Sequence, residues 1–149
     1  MLFEDILKEF GQATGIGDLV LDDEGSCSLS FDGGQEITLT FDAREEAVFF
    51  YARVADAGIL READACRRLL AASCLGAETG GAAFALYGNS VLLWKRHENL
   101  ADEPALEKAI NAFLPALIEW REKLAKTTDS GPSASPVIEP SYQGMGLLV

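Results

Sequence analysis

The run Glu46-Ala47-Val48-Phe49-Phe50-Tyr51-Ala52-Arg53-Val54 is apolar at both parities. A strand turns successive side chains to opposite faces. Val48, Phe50, Ala52 and Val54 therefore need one apolar layer, and Ala47, Phe49 and Tyr51 need another. Whatever this chain folds into must contain a sheet covered twice. With 149 residues the prior is one domain, large enough to bury roughly 70% of its unfolded surface.

Two alternating runs precede this strand, Ser26 to Phe31 (SCSLSF) and Glu36 to Phe41 (EITLTF). A three-residue loop Asp32-Gly33-Gly34 sets Leu29 opposite Ile37 and Cys27 opposite Leu39. A four-residue loop would set Leu29 opposite Thr38 and spoil the apolar face. The shorter loop keeps that face intact, and Gly34 supplies the left-handed residue it requires. The hairpin has one apolar face and one Ser/Thr face. Ahead of it, LFEDILKEF (2–10) places Leu2, Phe3, Ile6, Leu7 and Phe10 at helical spacing, and the pattern stops at Gly11 and Gly15. The segment between this helix and the hairpin reads as a polar, glycine-punctuated link.

After the central strand, EADACRRLLAASCLG (62–76) reads as a helix rich in small side chains, with Gly76 as its stop. Small residues let another backbone come close. AAFALYGNSVLLWKRH (82–97) reads as a hairpin about Gly88-Asn89. That turn pairs Leu86 with Val91 and Phe84 with Leu93 on one face, Ala85 with Leu92 and Ala83 with Trp94 on the other, and both faces are apolar. Residues 102–126 form a last amphipathic helix, with Asp102 as N-cap and an apolar stripe from Leu106 to Leu124. Pro115 should kink it near Asn111. Beyond it, residues 127–149 read as a Pro/Ser/Gly-containing tail ending in the apolar Met145, Leu147, Leu148 and Val149. The domain is thus 1–126 and the tail 127–149.

Composition narrows the function. The chain has 24 acidic against 12 basic residues, a net charge of -12. It lacks the basic footprint that phosphate neutralisation demands, so nucleic acid is not an expected partner. No apolar run approaches the ~20 residues of a membrane helix, and the acidic N-terminus does not read as a signal peptide, so a cytoplasmic protein without membrane insertion is expected. Cys27, Cys66 and Cys74 form no CxxC pair and are expected to be small buried hydrophobes. His97, flanked by Lys95 and Arg96, is expected at the surface. No nucleophile with its base, no metal-ligand spacing and no phosphate loop is found. The reading is therefore no enzyme, no metal and no cofactor.

The expected order is helix, three strands, helix, two strands, helix: an α+β fold with a mostly antiparallel twisted sheet. Three helices cover one side of such a sheet. Phe84, Leu86, Val91 and Leu93 left in water would each forgo ~1.5 to 3 kcal/mol of burial, so a second subunit is the expected cover. Helix 62–75 and the two-sided hairpin are the expected isologous surface, with Leu69, Leu70, Ser73, Phe84, Leu86 and Trp94 at the interface of a homodimer. The alternative is that this helix alone crosses the back of the sheet in a monomer.

In this order, the start LFEDILKEF, the strands SLSF and ITLTF, the helix DACRRLLAAS, the hairpin AAFALYGNSVLLWKR and the end FLPALIEWREKL resemble the class I type III secretion chaperones, small acidic proteins of the Tir chaperone-like family. The resemblance covers residues 2 to 126. It implies a homodimeric cytoplasmic chaperone that holds the N-terminal region of a secreted effector extended and competent for export, with contact to the export ATPase left open. The surface for that client is expected at the first helix and first hairpin, with Phe3, Phe10, Leu29, Phe31, Leu39 and Phe41 near its grooves. An apolar tail end of this kind could enter a groove that the client leaves empty. A dimeric adaptor or regulator on the same scaffold, with no export client, is the alternative.

Overall fold

The computed structural model describes residues 2–128, and the tail, beyond the end of the last helix, lies outside the described residues. The elements are α1 (Phe3–Thr14), β1 (Ser26–Phe31), β2 (Gln35–Asp42), β3 (Ala47–Asp56), α2 (Ala63–Ser73), β4 (Ala83–Tyr87), β5 (Ser90–Glu98) and α3 (Glu103–Thr128), with short 3-10 turns at Ala57–Arg61 and Cys74–Gly76. The five strands form one antiparallel sheet in the order β1-β2-β3-β5-β4. This is the α+β fold that the apolar patterning predicts.

The register of the first hairpin follows from its short loop. Leu29 lies opposite Ile37 and Cys27 opposite Leu39, and Gly33 and Gly34 both take positive φ, at 85° and 78°. Pairing continues across the sheet, so Leu39, Phe50, Ala52, Leu93 and Phe84 point to one face. All three helices bury their apolar sides there, in one core that includes Ile6, Leu7, Phe50, Leu69, Leu93 and Leu117.

Two helices run through a residue that weakens helices. α1 passes through Gly11 and ends at Gly15, whose φ of 74° gives it a left-handed C-cap. A mid-helix glycine costs only about 1 kcal/mol, which burial of Phe3, Ile6, Leu7 and Phe10 offsets. Gly11 is also where the chain folds back: Gly17 N–H donates to its carbonyl at 3.2 Å, and a Cβ there would collide with the Gly17 carbonyl. α3 continues as one helix through Pro115. Its stripe stays on the core at either side of the proline, with Ile110, Phe113, Leu117, Trp120 and Leu124 buried, so packing outweighs the hydrogen bond that Pro115 removes. Asp102 caps this helix as expected, its Oδ1 accepting from Ala105 N–H at 2.9 Å.

The second face of the sheet differs from the expectation. Val91 and Leu93 are buried in the chain's own core, and the Phe84 ring meets Trp120 edge-on at 5.0 Å. Of the four residues expected to need a partner, Leu86 alone is exposed, at 60%. The opposite face carries Ser26, Ser28, Thr38 and Thr40 on the β1 and β2 side and Phe49, Tyr51, Leu92 and Trp94 towards β4. Phe49 is covered by its own sheet neighbours, with Trp94 at 6.3 Å and the Arg96 guanidinium at 5.7 Å from its ring. Long side chains lying flat on a sheet therefore supply much of the second cover, which period-two patterning cannot show.

Candidate functional site

The two edges of the sheet are built differently. Beside β4 lies α2, whose Ser73 Oγ accepts from the Phe84 backbone N–H at 3.1 Å and donates to the Leu69 carbonyl at 2.8 Å. The small residues of α2 do admit another backbone, and it is the chain's own strand. At the other edge, β1 pairs with β2 on its inner side. Among the described residues its other backbone hydrogen bonds lie at its start, where the Ser26 carbonyl accepts from Asp22 N–H and Ser26 N–H donates to Asp22 Oδ1, both at 2.9 Å. Residues 27–31 present an open row of backbone donors and acceptors, the arrangement that admits an added strand.

Around this edge the six expected client residues separate into two groups. Phe3, Phe10, Leu29 and Leu39 are buried core residues. Phe31 and Phe41 are half-buried, each packed against the core at its margin. Phe41 stacks on Phe3, with ring centroids 5.3 Å apart and planes at 21°, which fixes α1 over β2. The link from α1 to β1 is less polar than its glycines suggest. Leu19 and Leu21 pack on the core, while Val20 between them and Ile16 ahead of them face water. Their alternation is the signal that a polar reading of the link passes over. The rim is acidic: Asp18, Asp22, Asp23, Glu24 and Asp32 are exposed around β1.

The six expected interface residues also divide. Leu69 is buried, Phe84 faces Trp120, and Ser73 serves Phe84. Leu70 at 75% and Leu86 at 60% are exposed, while Trp94 lies half-buried on the opposite face of the sheet. Sequence reasoning had no reason to single out Leu75. It is 97% exposed and holds a left-handed φ of 56° after α2, where a leucine is uncommon.

Two further expectations are corrected. His97 is not an ordinary surface residue: its ring packs 4.4 Å from that of Phe50, and its Nε2 is buried without a partner among the described residues. Its position opposite Val48 turns it to the helix side despite its basic neighbours. Burial, and secondarily the charge on Lys95, lower its pKa to about 4. Of the cysteines, Cys27 is buried, Cys66 is intermediate and donates to the Leu60 carbonyl, and Cys74 is exposed. Among the described residues no three His, Cys, Asp or Glu side chains group to hold a metal, and no helix is long and apolar enough to cross a membrane. A recess of about 530 Å³ on the other flank of α3, lined by Glu78, Ala112, Pro115, Ala116 and Glu119 among others, is open to solvent.

A sheet of this order, with α1 and α3 on one face and α2 along one edge, can be compared with known proteins. The profile of the Tir chaperone protein (CesT) family matches residues 5–121. The chain belongs to this family. No curated protein sequence matches the chain. Its fold is similar to that of a chain in the HopA1–SchA chaperone–effector complex, at a TM-score of 0.69 and 20% identity over 80% of this chain and 93% of that one. A chain in the ExsC–ExsE complex gives 0.69 and 24% over 80% and 91%. The Yersinia pestis type III secretion chaperone SycH complex with a fragment of YscM2 gives 0.62 and 15% over 80% and 99%. This Tir chaperone family member thus has the fold of the chains in these complexes.

Proposed function

We propose that this type III secretion chaperone binds the N-terminal region of a secreted effector in an extended state in the bacterial cytoplasm, as a homodimer, and keeps it competent for export. The observation that carries this is the open β1 edge, beside the half-buried Phe31 and Phe41, on a fold shared with chains of chaperone–effector complexes. An extended client adds main-chain hydrogen bonds along β1 and places alternate apolar side chains against the two phenylalanines. The buried Phe3, Phe10, Leu29 and Leu39 support that wall from beneath. The acidic rim favours a client with Lys or Arg between its apolar anchors, so affinity should fall with salt. The cost of ordering the client keeps its binding releasable.

For the homodimer, the exposed Leu70 and Leu86, with Trp94 on the other face of the β4 edge, form the contact surface in this reading. Leu69, Ser73 and Phe84 hold α2 and β4 in place behind it. Sedimentation of Leu70→Asp/Leu86→Asp should give a folded monomer, and a wild-type monomer at micromolar concentration would exclude the dimer.

The client reading is tested by purifying the chain from its native host and identifying what accompanies it by mass spectrometry. A secreted protein held through its N-terminal region is expected, and Phe31→Ser/Phe41→Ser should release it with the chaperone still folded. A stable regulatory partner in place of a secreted protein would favour the adaptor reading. Turnover of a small molecule would overturn both.

A further inference from the structure

We propose that residues 18–22, in the link between α1 and β1, close onto the outer edge of β1 as a short sixth strand when no client is bound, and that a client takes their place. The inference rests on β1 being the client edge and adds how that edge is kept until a client arrives.

Backbone geometry identifies the free groups of β1. The Gly25 carbonyl accepts from Phe41 N–H at 2.8 Å and so faces β2, whereas the Ser26 carbonyl faces outward and accepts from Asp22 N–H at 2.9 Å. Antiparallel strands alternate these directions. Cys27, Leu29 and Phe31 therefore turn their backbone groups to β2, and Ser28 and Ser30 turn theirs outward. The Asp22–Ser26 bond also fixes a register. Asp22 starts a tight turn, in which its carbonyl accepts from Gly25 N–H at 3.0 Å and its Oδ1 accepts from Glu24 N–H and Ser26 N–H at 2.9 Å. Continued from that turn, the link runs antiparallel to β1, with Leu21 opposite Cys27, Val20 opposite Ser28, Leu19 opposite Leu29 and Asp18 opposite Ser30. Val20 and Asp18 then present their N–H and C=O groups to the outward ones of the two serines.

The side chains already match this register. Leu19 and Leu21 pack on the core, as Cys27 and Leu29 do, and Val20 and Asp18 face water, as Ser28 and Ser30 do. Closing the strap thus turns no side chain to the other face. α1 holds the strap near the edge: Gly17 N–H donates to the Gly11 carbonyl at 3.2 Å, and a Cβ on Gly11 would come within 3.1 Å of Leu19 Cγ. In the structure the Asp22–Ser26 bond is the only backbone bond between link and strand among the described residues, so the strap is held at its first rung. Gly17, at a φ of 107°, supplies the pivot at its far end. The same register says how a client wins. Opposite Phe31 falls Gly17, which has no side chain to set against that half-buried ring. An extended client with an apolar residue there gains a contact that the strap lacks. Until then the strap shields an edge that otherwise templates pairing between copies.

NMR tests this on the full chain without any client. A nuclear Overhauser contact between the α-protons of Leu19 and Leu29 is expected, because opposed residues of a non-hydrogen-bonded pair lie about 4.5 Å apart at Cα. The amides of Ser28 and Ser30 should exchange about tenfold faster in Val20→Pro, which lacks the N–H that meets the Ser28 carbonyl, while those of Cys27 and Leu29, bonded to β2, stay as they were. Protection at the two serines should not change on dilution. Absence of the Leu19–Leu29 contact in the unaltered chain would overturn the proposal whether or not Val20→Pro folds. So would equal exchange at Ser28 and Ser30 in the two chains, or protection lost on dilution, which would place a second copy on the edge. Each of these results leaves the client reading intact, since that is decided by the Phe31/Phe41 variant.

Discussion

The β4 edge and the β1 edge end the same sheet in opposite ways. At β4, Ser73 reaches from α2 to the Phe84 N–H, and Leu69 and Ala72 seal the contact from the core side. At β1, side chains alternate between buried Leu29 and exposed Ser28 and Ser30, and the outer backbone groups of 27–31 meet no strand or helix among the described residues. Both strands are short, and neither the Ser/apolar alternation of β1 nor the all-apolar run of β4 tells which edge is closed. What differs is whether a helix in the same chain brings a hydroxyl to the edge. A protein that needs one receptive edge and one closed edge can be made this way, by placing a small polar residue where a helix passes close.

The contrast can be attacked by substitution. The largest effect is expected beneath the open edge: Leu29→Ala should cost about 2 to 5 kcal/mol in urea denaturation, because it empties a fully packed site. Phe31→Ser, on the same strand, should cost about 1 kcal/mol or less, since that ring is half in solvent. Equal losses would make Phe31 plain core and weaken the site. Next is the closed edge. Ser73→Ala removes the acceptor for Phe84 N–H and should cost about 1 to 3 kcal/mol, with faster exchange at Phe84 and no change at β1.

A third test uses pH. His97 is held neutral, with its pKa lowered to about 4 by burial and by Lys95. The unfolded chain binds this proton with a pKa near 6.5, so between about pH 6.5 and 4 the unfolded state carries more protons. Stability is then complete above that window and lost as pH falls through it. The ring is only partly buried, so about 1 to 2 kcal/mol is expected after allowing for solvent screening. His97→Phe should remove this part of the acid sensitivity, measured as the difference between urea midpoints at pH 7 and pH 4.5. The smallest effect, below about 1 kcal/mol, is expected for Arg121→Ala, which frees a partly exposed tie between α3 and the hairpin tip.

Much of the architecture was legible in the sequence because turn chemistry and period-two patterning agree. Asp32-Gly33-Gly34 set the first register, and Gly88-Asn89 set the second, with Phe84 opposite Leu93 and Ala83 opposite Trp94. What patterning could not choose was the inward face of the last hairpin, since both faces are apolar and only tertiary packing against Trp120 decides. Trp120 itself continues the buried stripe of α3 between its polar neighbours Glu119 and Arg121. His97 was misplaced because local charge was weighed above its parity with Val48. The client residues were legible as a neighbourhood. Their division into buried support and exposed contact depends on how α1 lies over β2 through Phe3 and Phe41, which no one-dimensional pattern contains.

The most direct test of the asymmetry is amide exchange on the complex formed with the native co-purifying cargo, compared with the chaperone alone after the cargo has been removed in urea and the chain refolded. Added protection is expected along Ser26–Phe31 and in α1, with Ala83–Tyr87 unchanged by cargo. Cargo that protects β4 and leaves β1 as it was would contradict the account.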